Sequence, residues 1–156
     1  MIICTFEDGK KTNLRHVVMH AIAEKEGKIL LVKRAESLTT EPGKWGFPGG
    51  FLDIGEDIKE GVLRELQEET GWSGRIVSLF RVNSNPKRPN EFSRGNVAME
   101  FIVEALDKVS EPDSESSKVE WIKIEDIRLD ELAFDFKEAL ELYFKYKKGE
   151  INIPII

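Results

Sequence analysis

The chain has 156 residues, of which 40% are apolar, and this is the usual size of a single domain with one core. Its 29 acidic residues exceed its 23 lysines and arginines, so the formal net charge is −6 at pH 7. This balance excludes general binding to nucleic-acid backbones, which needs a basic surface. We therefore expect one domain over residues 1–156, with no nucleic acid among its partners.

The few sulfur and imidazole side chains also exclude some classes of protein. One cysteine, Cys4, cannot form an internal disulfide, and together with His16 and His20 it does not make a zinc site of the Cys/His type. The N-terminal run MIICTFEDGKK lacks the pattern of a secretory leader, and no stretch approaches the roughly 18 apolar residues of a membrane span. The sequence predicts a cytoplasmic protein with no membrane partner.

The first third of the chain predicts strands. The run ICTF and the Asp8-Gly9 pair indicate a short peripheral strand and turn within residues 1–15. The apolar runs HVVMHAIA and KILLVKR, separated by EKEG, predict a hairpin from His16 to Lys33. A loop over residues 35–44 follows. In WGFPGGFLD, the glycines and the proline predict that regular structure is interrupted.

The rest of the chain predicts two helices and three strands. Asp57 and Glu60 form a capping-box pattern and Gly71 a C-terminal stop, so a helix should end at Thr70. The runs RIVSLFRV, NVAMEFIVEAL and VEWIKI predict strands, and alternation in the second places Glu100 on a polar face. A last helix is expected near residues 134–147. This order predicts an α/β fold with a mixed sheet between helices.

Three glutamates of the first predicted helix form an acidic cluster. Glu65, Glu68 and Glu69 are spaced at i, i+3 and i+4, so they lie together beside the apolar stripe. Like charges at this spacing destabilise a helix, whereas a hard divalent cation such as Mg²⁺ converts the repulsion into binding. Gly61 interrupts the same face, and room for a metal or phosphate is a reason for a glycine there.

The run GFLDIGEDIKEGVLRELQEETGW, from Gly50 to Trp72, resembles the Nudix box at every defining position. With this chain's residue frequencies, such a match arises by chance on the order of once in a million chains. The resemblance implies a single Nudix hydrolase domain with the box at 50–72 and a Nudix-like α/β/α sandwich. It also implies Mg²⁺ or Mn²⁺ and hydrolysis of a nucleoside diphosphate linked to another moiety. Gly61 and Trp72 depart from the commonest residues of the box.

The resemblance also implies roles for individual residues. Glu65, Glu68, Glu69 and the carbonyl of Gly49 resemble the family's metal ligands, and Glu56 supports the helix or the metal. Arg64 resembles an arginine that orients a catalytic glutamate. Glu65 is the first choice for the general base, and Glu68 and Glu120 follow.

The resemblance implies a small nucleotide substrate, whose phosphates need cationic contacts. Arg34, Arg81 and Arg88 are expected to bind them, although basic residues in polar segments are more often ordinary surface residues. Further basic residues considered for phosphate contacts are Lys33, Lys87 and Arg94.

Pro86 resembles a proline of ADP-ribose-cleaving relatives, which slightly favours ADP-ribose or a nucleotide sugar. The alternatives are a pyrophosphohydrolase of nucleoside triphosphates, including oxidised ones, and a non-catalytic nucleotide sensor. The family resemblance also allows a homodimer.

Overall fold

The computed structural model describes residues 2–88 and 95–156. Within these residues, seven strands form one mixed sheet and two more form a separate N-terminal hairpin. No helix in them is long and apolar enough to cross a membrane. The elements in chain order are β1 (Ile2–Thr5), β2 (Lys11–Leu14), β3 (His16–Lys25), β4 (Lys28–Arg34), β5 (Trp45–Gly46), β6 (Gly49–Phe51), α1 (Ile58–Thr70), β7 (Trp72–Asn83), β8 (Asn96–Lys108), β9 (Ser116–Lys123) and α2 (Phe136–Lys147).

Strand β3 lies at the centre of the sheet. It pairs in parallel with β8 and antiparallel with β4 and β6, while β7 follows β8 at one edge. Regular structure in WGFPGGFLD is interrupted as predicted, and what remains are the two short strands β5 and β6. Strand β6 comes very close to β3: a Cβ on Gly49 would lie 2.0 Å from the carbonyl oxygen of Met19. Only glycine fits that position without moving backbone.

The two helices cover opposite faces of the sheet. Neighbouring residues of each strand point to opposite faces, so each strand contributes side chains to both helix contacts. Helix α1 packs Val62 and Leu66 against one face, and helix α2 packs Leu140 and Tyr143 against the other. This is the predicted α/β/α sandwich. The sheet residues on the α1 face are Met19, Ala21, Ala23, Leu30, Phe101 and Val103, and those on the α2 face are Ile22, Ile29, Leu31, Phe80 and Ile102.

Helix α1 begins and ends as its sequence predicts. The Asp57 N–H donates to Glu60 at 3.1 Å, the Lys59 N–H donates to the Asp57 carboxylate at 2.8 Å, and Gly71 ends the helix with φ 78°. The prediction about Gly61 is wrong. A Cβ on Gly61 would lie 2.9 Å from the Met19 sulfur, so the space is filled by packing and holds no room for a metal or phosphate. Glycine therefore serves close contact between helix and sheet.

Glu100 lies on the face opposite Phe101, as the alternation predicts, but helix α2 covers that face. Glu100 is fully buried beside His20 of the neighbouring strand, and Arg81 lies 3.9 Å away. Burial raises the pKa of Glu100 to about 7, although the charge of Arg81 opposes this shift. Glu104, on the same strand beyond the helix, is exposed and pairs with Arg75, as the alternation predicts.

We expect Glu100→Gln to change how stability depends on pH. An unfolded glutamate has a pKa of 4.5, so between that pH and about 7 the folded protein holds a proton that the unfolded chain has lost. The contribution of this bound proton to the free energy of unfolding is complete below pH 4.5. It is lost as pH rises through 7, which lowers the free energy of unfolding by up to about 3 kcal/mol. Urea unfolding at about pH 5 and about pH 8 measures the free energy of unfolding of both proteins. The variant should be more stable relative to wild type at about pH 8 than at about pH 5.

Glu104→Gln is the matched control, since its carboxylate is exposed on the same strand. An identical pH dependence for Glu100→Gln and wild type would contradict the assignment of a protonated, buried carboxyl group at Glu100.

Candidate active site

A cavity of about 410 Å³ opens at one end of the sheet. Elements from both faces line it: α1 and β6 on one side, the ends of β4 and β8 and the segment before α2 on the other, with the loop 109–115 beside α1. More acidic than basic side chains line the cavity. The acidic ones are Asp53, Glu65, Glu68, Glu69, Asp113 and Glu115, and the arginines are Arg34, Arg64 and Arg88.

Glu69 is the most buried of the carboxylates in the cavity wall. Its Oε2 accepts a hydrogen bond of 2.8 Å from the backbone N–H of Gly49. Burial raises the pKa of Glu69 to about 8, and the nearby negative charges of Glu65 and Asp113 add to the shift. Glu69 therefore keeps its proton near neutral pH unless a cation beside it favours the charged form.

Arg64 connects the glutamates of the helix to the loop before it. Its guanidinium holds Glu56 with two bonds of 3.0 and 2.9 Å, and it contacts Glu65 at 2.9 Å and Glu68 at 2.8 Å. The bonds from Arg64 lower the pKa of Glu56 to about 2. Arg64 is thus a planar fork that fixes three carboxylates, which is the geometry that arginine supplies and lysine does not.

Burial also raises the pKa of Glu65, while the neighbouring Arg64 opposes the shift. Glu65 lies against the backbone of β6, since a Cβ on Gly50 would come within 2.4 Å of its Oε1. The two glycines of the segment leading into the helix therefore allow the backbone to approach the carboxylates closely. Such an oxygen-rich, electronegative site has the chemistry that hard divalent cations prefer.

The carboxylates do not form a ready-made set of ligands. Within residues 2–88 and 95–156, no three acidic, histidine or cysteine side chains converge as a metal site. Glu65 and Glu68 are bonded to Arg64 instead, and Glu69 is bonded to the Gly49 N–H. A cation would take the place of some of these bonds.

Comparison with known proteins identifies the family. The NUDIX domain family matches residues 13–143 of the chain. The chain belongs to the Nudix family. The ADP-ribose pyrophosphatase of Methanocaldococcus jannaschii is 34% identical over 134 residues, which are 85% of this chain and 75% of that protein. These matches indicate that the chain is a pyrophosphohydrolase.

Solved Nudix structures share the fold. A NUDIX hydrolase from Nitrosomonas europaea superposes with a TM-score of 0.76 at 27% identity, covering 94% of this chain and 81% of that one. The NUDIX domain of Shewanella oneidensis NrtR, solved with ADP ribose, superposes with a TM-score of 0.73 at 24% identity and covers 87% and 90%.

The structure brings most of the predicted Nudix residues to one place. Gly49, Glu65, Glu68, Glu69 and Arg64 line the cavity, and Glu56 lies directly behind Arg64. Their roles as ligands and base stay predictions. The Gly49 N–H holds Glu69, and the metal role predicted for its carbonyl is separate from this bond.

Glu120 is not at the Nudix cavity, which corrects its prediction as a possible base. On β9, Val119 and Trp121 face α1, so Glu120 points to the opposite face of the sheet. There it pairs with Lys118 at 2.6 Å and lines a different cavity beside Trp45.

Two cavity acids, Asp113 and Glu115, come from the loop before β9 and were missed by the sequence analysis. The Asp113 N–H donates to the carbonyl of Glu68 at 2.8 Å, which fixes this loop against the end of α1. The Ala35 N–H donates to the carbonyl of Glu115, which ties the other end to β4. The acidic run EPDSES is the signal that was available, but its distance in sequence from the box hid its place in the site.

The predicted phosphate-binding arginines have different environments. Arg34 and Arg88 line the cavity, but Arg34 donates to the Thr40 carbonyl and Arg88 to Asp135 and Asn96, so a phosphate contact from either stays a prediction. Arg81 is buried under α2, where it bonds Glu138 at 3.1 Å and faces Glu100, so its predicted substrate contact is wrong. The reason is an irregularity of β7 between Leu79 and Arg81, which leaves Arg81 on the α2 side of the sheet together with Phe80.

The remaining basic candidates, and the proline, are not placed in the cavity wall. Lys87 is exposed, and neither it nor Lys33 or Pro86 is among the lining residues. Arg94 lies outside the described residues.

The segment before α2 contains two residues that break local rules at the cavity. Phe134 has φ 51°, a left-handed conformation that costs a bulky residue about 1–3 kcal/mol. Asp135 occupies the N-cap of α2 but makes no capping bond. Its carboxylate instead accepts bonds from Arg88 at 3.0 and 2.7 Å and from Asn83 at 2.6 Å. Burial works to raise the pKa of Asp135, but the hydrogen bonds and charge of Arg88 and the charge of Arg81 outweigh it and lower this pKa.

We expect Glu115→Gln to lower kcat/KM by about 10-fold, because it removes one carboxylate charge from the cavity without changing side-chain size. Glu120→Gln should leave kcat/KM unchanged, since that residue lies on the other face of the sheet. Steady-state kinetics on both variants checks the assignment. A larger loss of kcat/KM in Glu120→Gln than in Glu115→Gln would show that Glu120, and not Glu115, belongs to the active site.

Proposed function

We propose that this Nudix protein is a divalent-metal-dependent ADP-ribose pyrophosphatase that releases AMP and ribose 5-phosphate. The observation that carries the proposal is the division of the cavity. Helix α1 and the loop 109–115 contribute most of its carboxylates, whereas Arg34 at the end of β4, Arg88 after β7 and Phe134 before α2 contribute cationic and aromatic groups. Such a cavity suits a ligand with a diphosphate that binds through cations and an organic part that binds to the protein directly. The Methanocaldococcus jannaschii relative, whose activity is ADP-ribose hydrolysis, supports the choice of substrate.

Glu65, Glu68, Glu69 and the Gly49 carbonyl would hold Mg²⁺ or Mn²⁺. The electrostatic reason is that six carboxylates and three arginines line the cavity, so an anionic diphosphate is repelled unless cations are added. When bound, the metal neutralises charge on the phosphate oxygens and lowers the pKa of water.

The residues of the chain then direct a hydrolysis. A water oxygen forms a bond to one phosphorus in line with the bridging oxygen, the bond from phosphorus to that oxygen breaks, and a carboxylate takes the proton of the water. Glu65 is the first candidate for this last role, because it lies at the cavity wall against the backbone of Gly50 and is held in place by Arg64. Arg64 orients Glu65 and is itself held by the two oxygens of Glu56.

The test is a product analysis with purified protein and Mg²⁺ or Mn²⁺. ADP-ribose, nucleotide sugars, dinucleotides and normal or oxidised nucleoside triphosphates are compared, with a chelator as the control. AMP and ribose 5-phosphate from ADP-ribose are the expected products. Selective release of pyrophosphate from triphosphates would instead identify a nucleoside triphosphate pyrophosphohydrolase. Nucleotide binding without turnover by any metal would identify a sensor.

A further inference from the structure

We propose that Phe134 and Arg34 form the subsite that binds the nucleobase of the substrate, with the flat guanidinium and the aromatic ring as a stacked platform. This inference rests on the proposed function and adds the residues that select the organic part of the nucleotide.

The position of Phe134 is fixed from both sides. The N–H of Ala133 donates to the carbonyl of Trp45 at 2.8 Å, and the Asp135 carboxylate is held by Arg88 and Asn83. Between these anchors, Phe134 keeps its left-handed backbone and lines the cavity. Strained conformations of bulky residues persist where the surroundings enforce them, and they concentrate at ligand sites. The anchors therefore hold this ring at the cavity wall rather than letting the segment relax.

Arg34 lies over the ring of Phe134 and is held there by the backbone. Its Cζ lies 5.0 Å from the centre of the Phe134 ring, and its Nε and Nη2 both donate to the carbonyl of Thr40, at 3.0 and 2.8 Å. Bidentate binding of a phosphate uses the edge of a guanidinium, and here the Nε edge is directed to Thr40. A guanidinium over an aromatic ring makes a cationic, polarisable surface, which is suited to a flat π-system such as a nucleobase.

The surroundings of this platform agree with an aromatic, uncharged ligand group. His20 and Asn96 line the cavity on the same side, and both are buried. The Nδ1 of His20 is buried and has no hydrogen-bond partner among the described residues. An unpaired polar atom beside a cavity is satisfied when a ligand supplies the partner. Base edges carry both donors and acceptors and can do so.

The geometry also orients the substrate. Phe134 precedes α2, which covers one face of the sheet, whereas Glu65, Glu68 and Glu69 belong to α1 on the other face. A nucleotide with its base at Phe134 would therefore extend its phosphates toward the carboxylates of α1. The sugar on the far side of the diphosphate would lie away from Phe134.

Only one of the two products, AMP, carries the nucleobase, so a comparison of AMP and ribose 5-phosphate binding tests the inference. We would measure Kd for AMP and for ribose 5-phosphate by calorimetry, with Mg²⁺ present, on wild type, Phe134→Leu and Phe134→Tyr. Phe134→Leu should raise the Kd for AMP about 10-fold or more and change the Kd for ribose 5-phosphate by less than about twofold. Phe134→Tyr keeps the ring and should keep AMP affinity. Phe144→Leu is the matched control, since Phe144 is a partly buried aromatic of α2 away from this cavity.

Unchanged AMP affinity in Phe134→Leu, or an equal loss for both products, would overturn the subsite. Phe51 also lines the cavity, and a selective loss of AMP binding in Phe51→Leu but not in Phe134→Leu would place the base there instead. If Phe134→Leu fails to fold, loss of AMP binding in Phe134→Tyr decides against the platform. A wild type that binds AMP through Phe134 but does not cleave ADP-ribose would refute the proposed function and leave the subsite standing.

Discussion

Glu69→Gln is expected to lower kcat/KM for ADP-ribose by about 100-fold or more, because it removes the charge of a proposed metal ligand. The fold should be kept. Glutamine retains an oxygen that accepts the 2.8 Å bond from the Gly49 N–H, and burial already favours an uncharged group at this position by raising the pKa of Glu69 to about 8. Steady-state kinetics and thermal unfolding without metal measure the two effects separately.

The control for this variant is Glu141→Gln, which removes an exposed carboxylate of α2. Its kcat/KM should equal that of wild type. If Glu69→Gln is as active as wild type in Mg²⁺, Glu69 is not a metal ligand. If it unfolds at a much lower temperature than wild type, Glu69 has a structural role that its geometry does not indicate.

Arg64→Lys should lower kcat/KM by about 10- to 100-fold, the usual cost of disturbing the groups that orient metal ligands. Lysine keeps the positive charge but cannot make the two bonds to Glu56 and also reach Glu65 and Glu68. The loss should appear mainly in kcat, because the substrate contacts proposed for Arg34 and Phe134 remain.

Arg128→Lys is a suitable comparison, since Arg128 makes an exposed ion pair with Glu131 and lies outside the cavity. It should leave kinetics unchanged. If the kcat of Arg64→Lys equals that of wild type, catalysis needs the positive charge of this residue but not the forked geometry of its guanidinium.

Local sequence was sufficient for the helix that carries the acidic cluster. Asp57, Glu60 and Gly71 make their capping contacts within a few residues, and the i, i+3, i+4 spacing brings the glutamates to one side in any helix. The box pattern and its family therefore followed from residues that are close in the chain. The glycines before the helix were also informative, because backbone pairing with β3 leaves no space for a side chain at Gly49.

The errors concern residues whose surroundings are set by distant parts of the chain. Glu100 lies on an alternating strand and is buried because α2, far along the sequence, covers its face. Arg81 follows Phe80 to that same face at an irregularity of β7, which local alternation does not predict. On β9, alternation turns Glu120 away from the site, while the preceding loop brings Glu115 into it. Neither the irregularity of β7 nor the choice of which helix covers which face could be predicted from alternation.

The platform of Phe134 shows the same limit. An aromatic residue before a helix carries no sign of left-handed backbone, and the bonds that enforce it come from Trp45, Arg88 and Asn83. Homodimer formation and a cytoplasmic location stay predictions from the sequence and the family resemblance.

The most direct test of the central claim, that the carboxylates of α1 hold the cation needed for catalysis, is a Mn²⁺ titration followed by electron paramagnetic resonance. Wild type should bind Mn²⁺, and Glu69→Gln should bind it at least about 10-fold more weakly, in parallel with its loss of ADP-ribose hydrolysis. Glu141→Gln should match wild type in both measurements. Equal Mn²⁺ affinity in wild type and Glu69→Gln would contradict the assignment of this metal site.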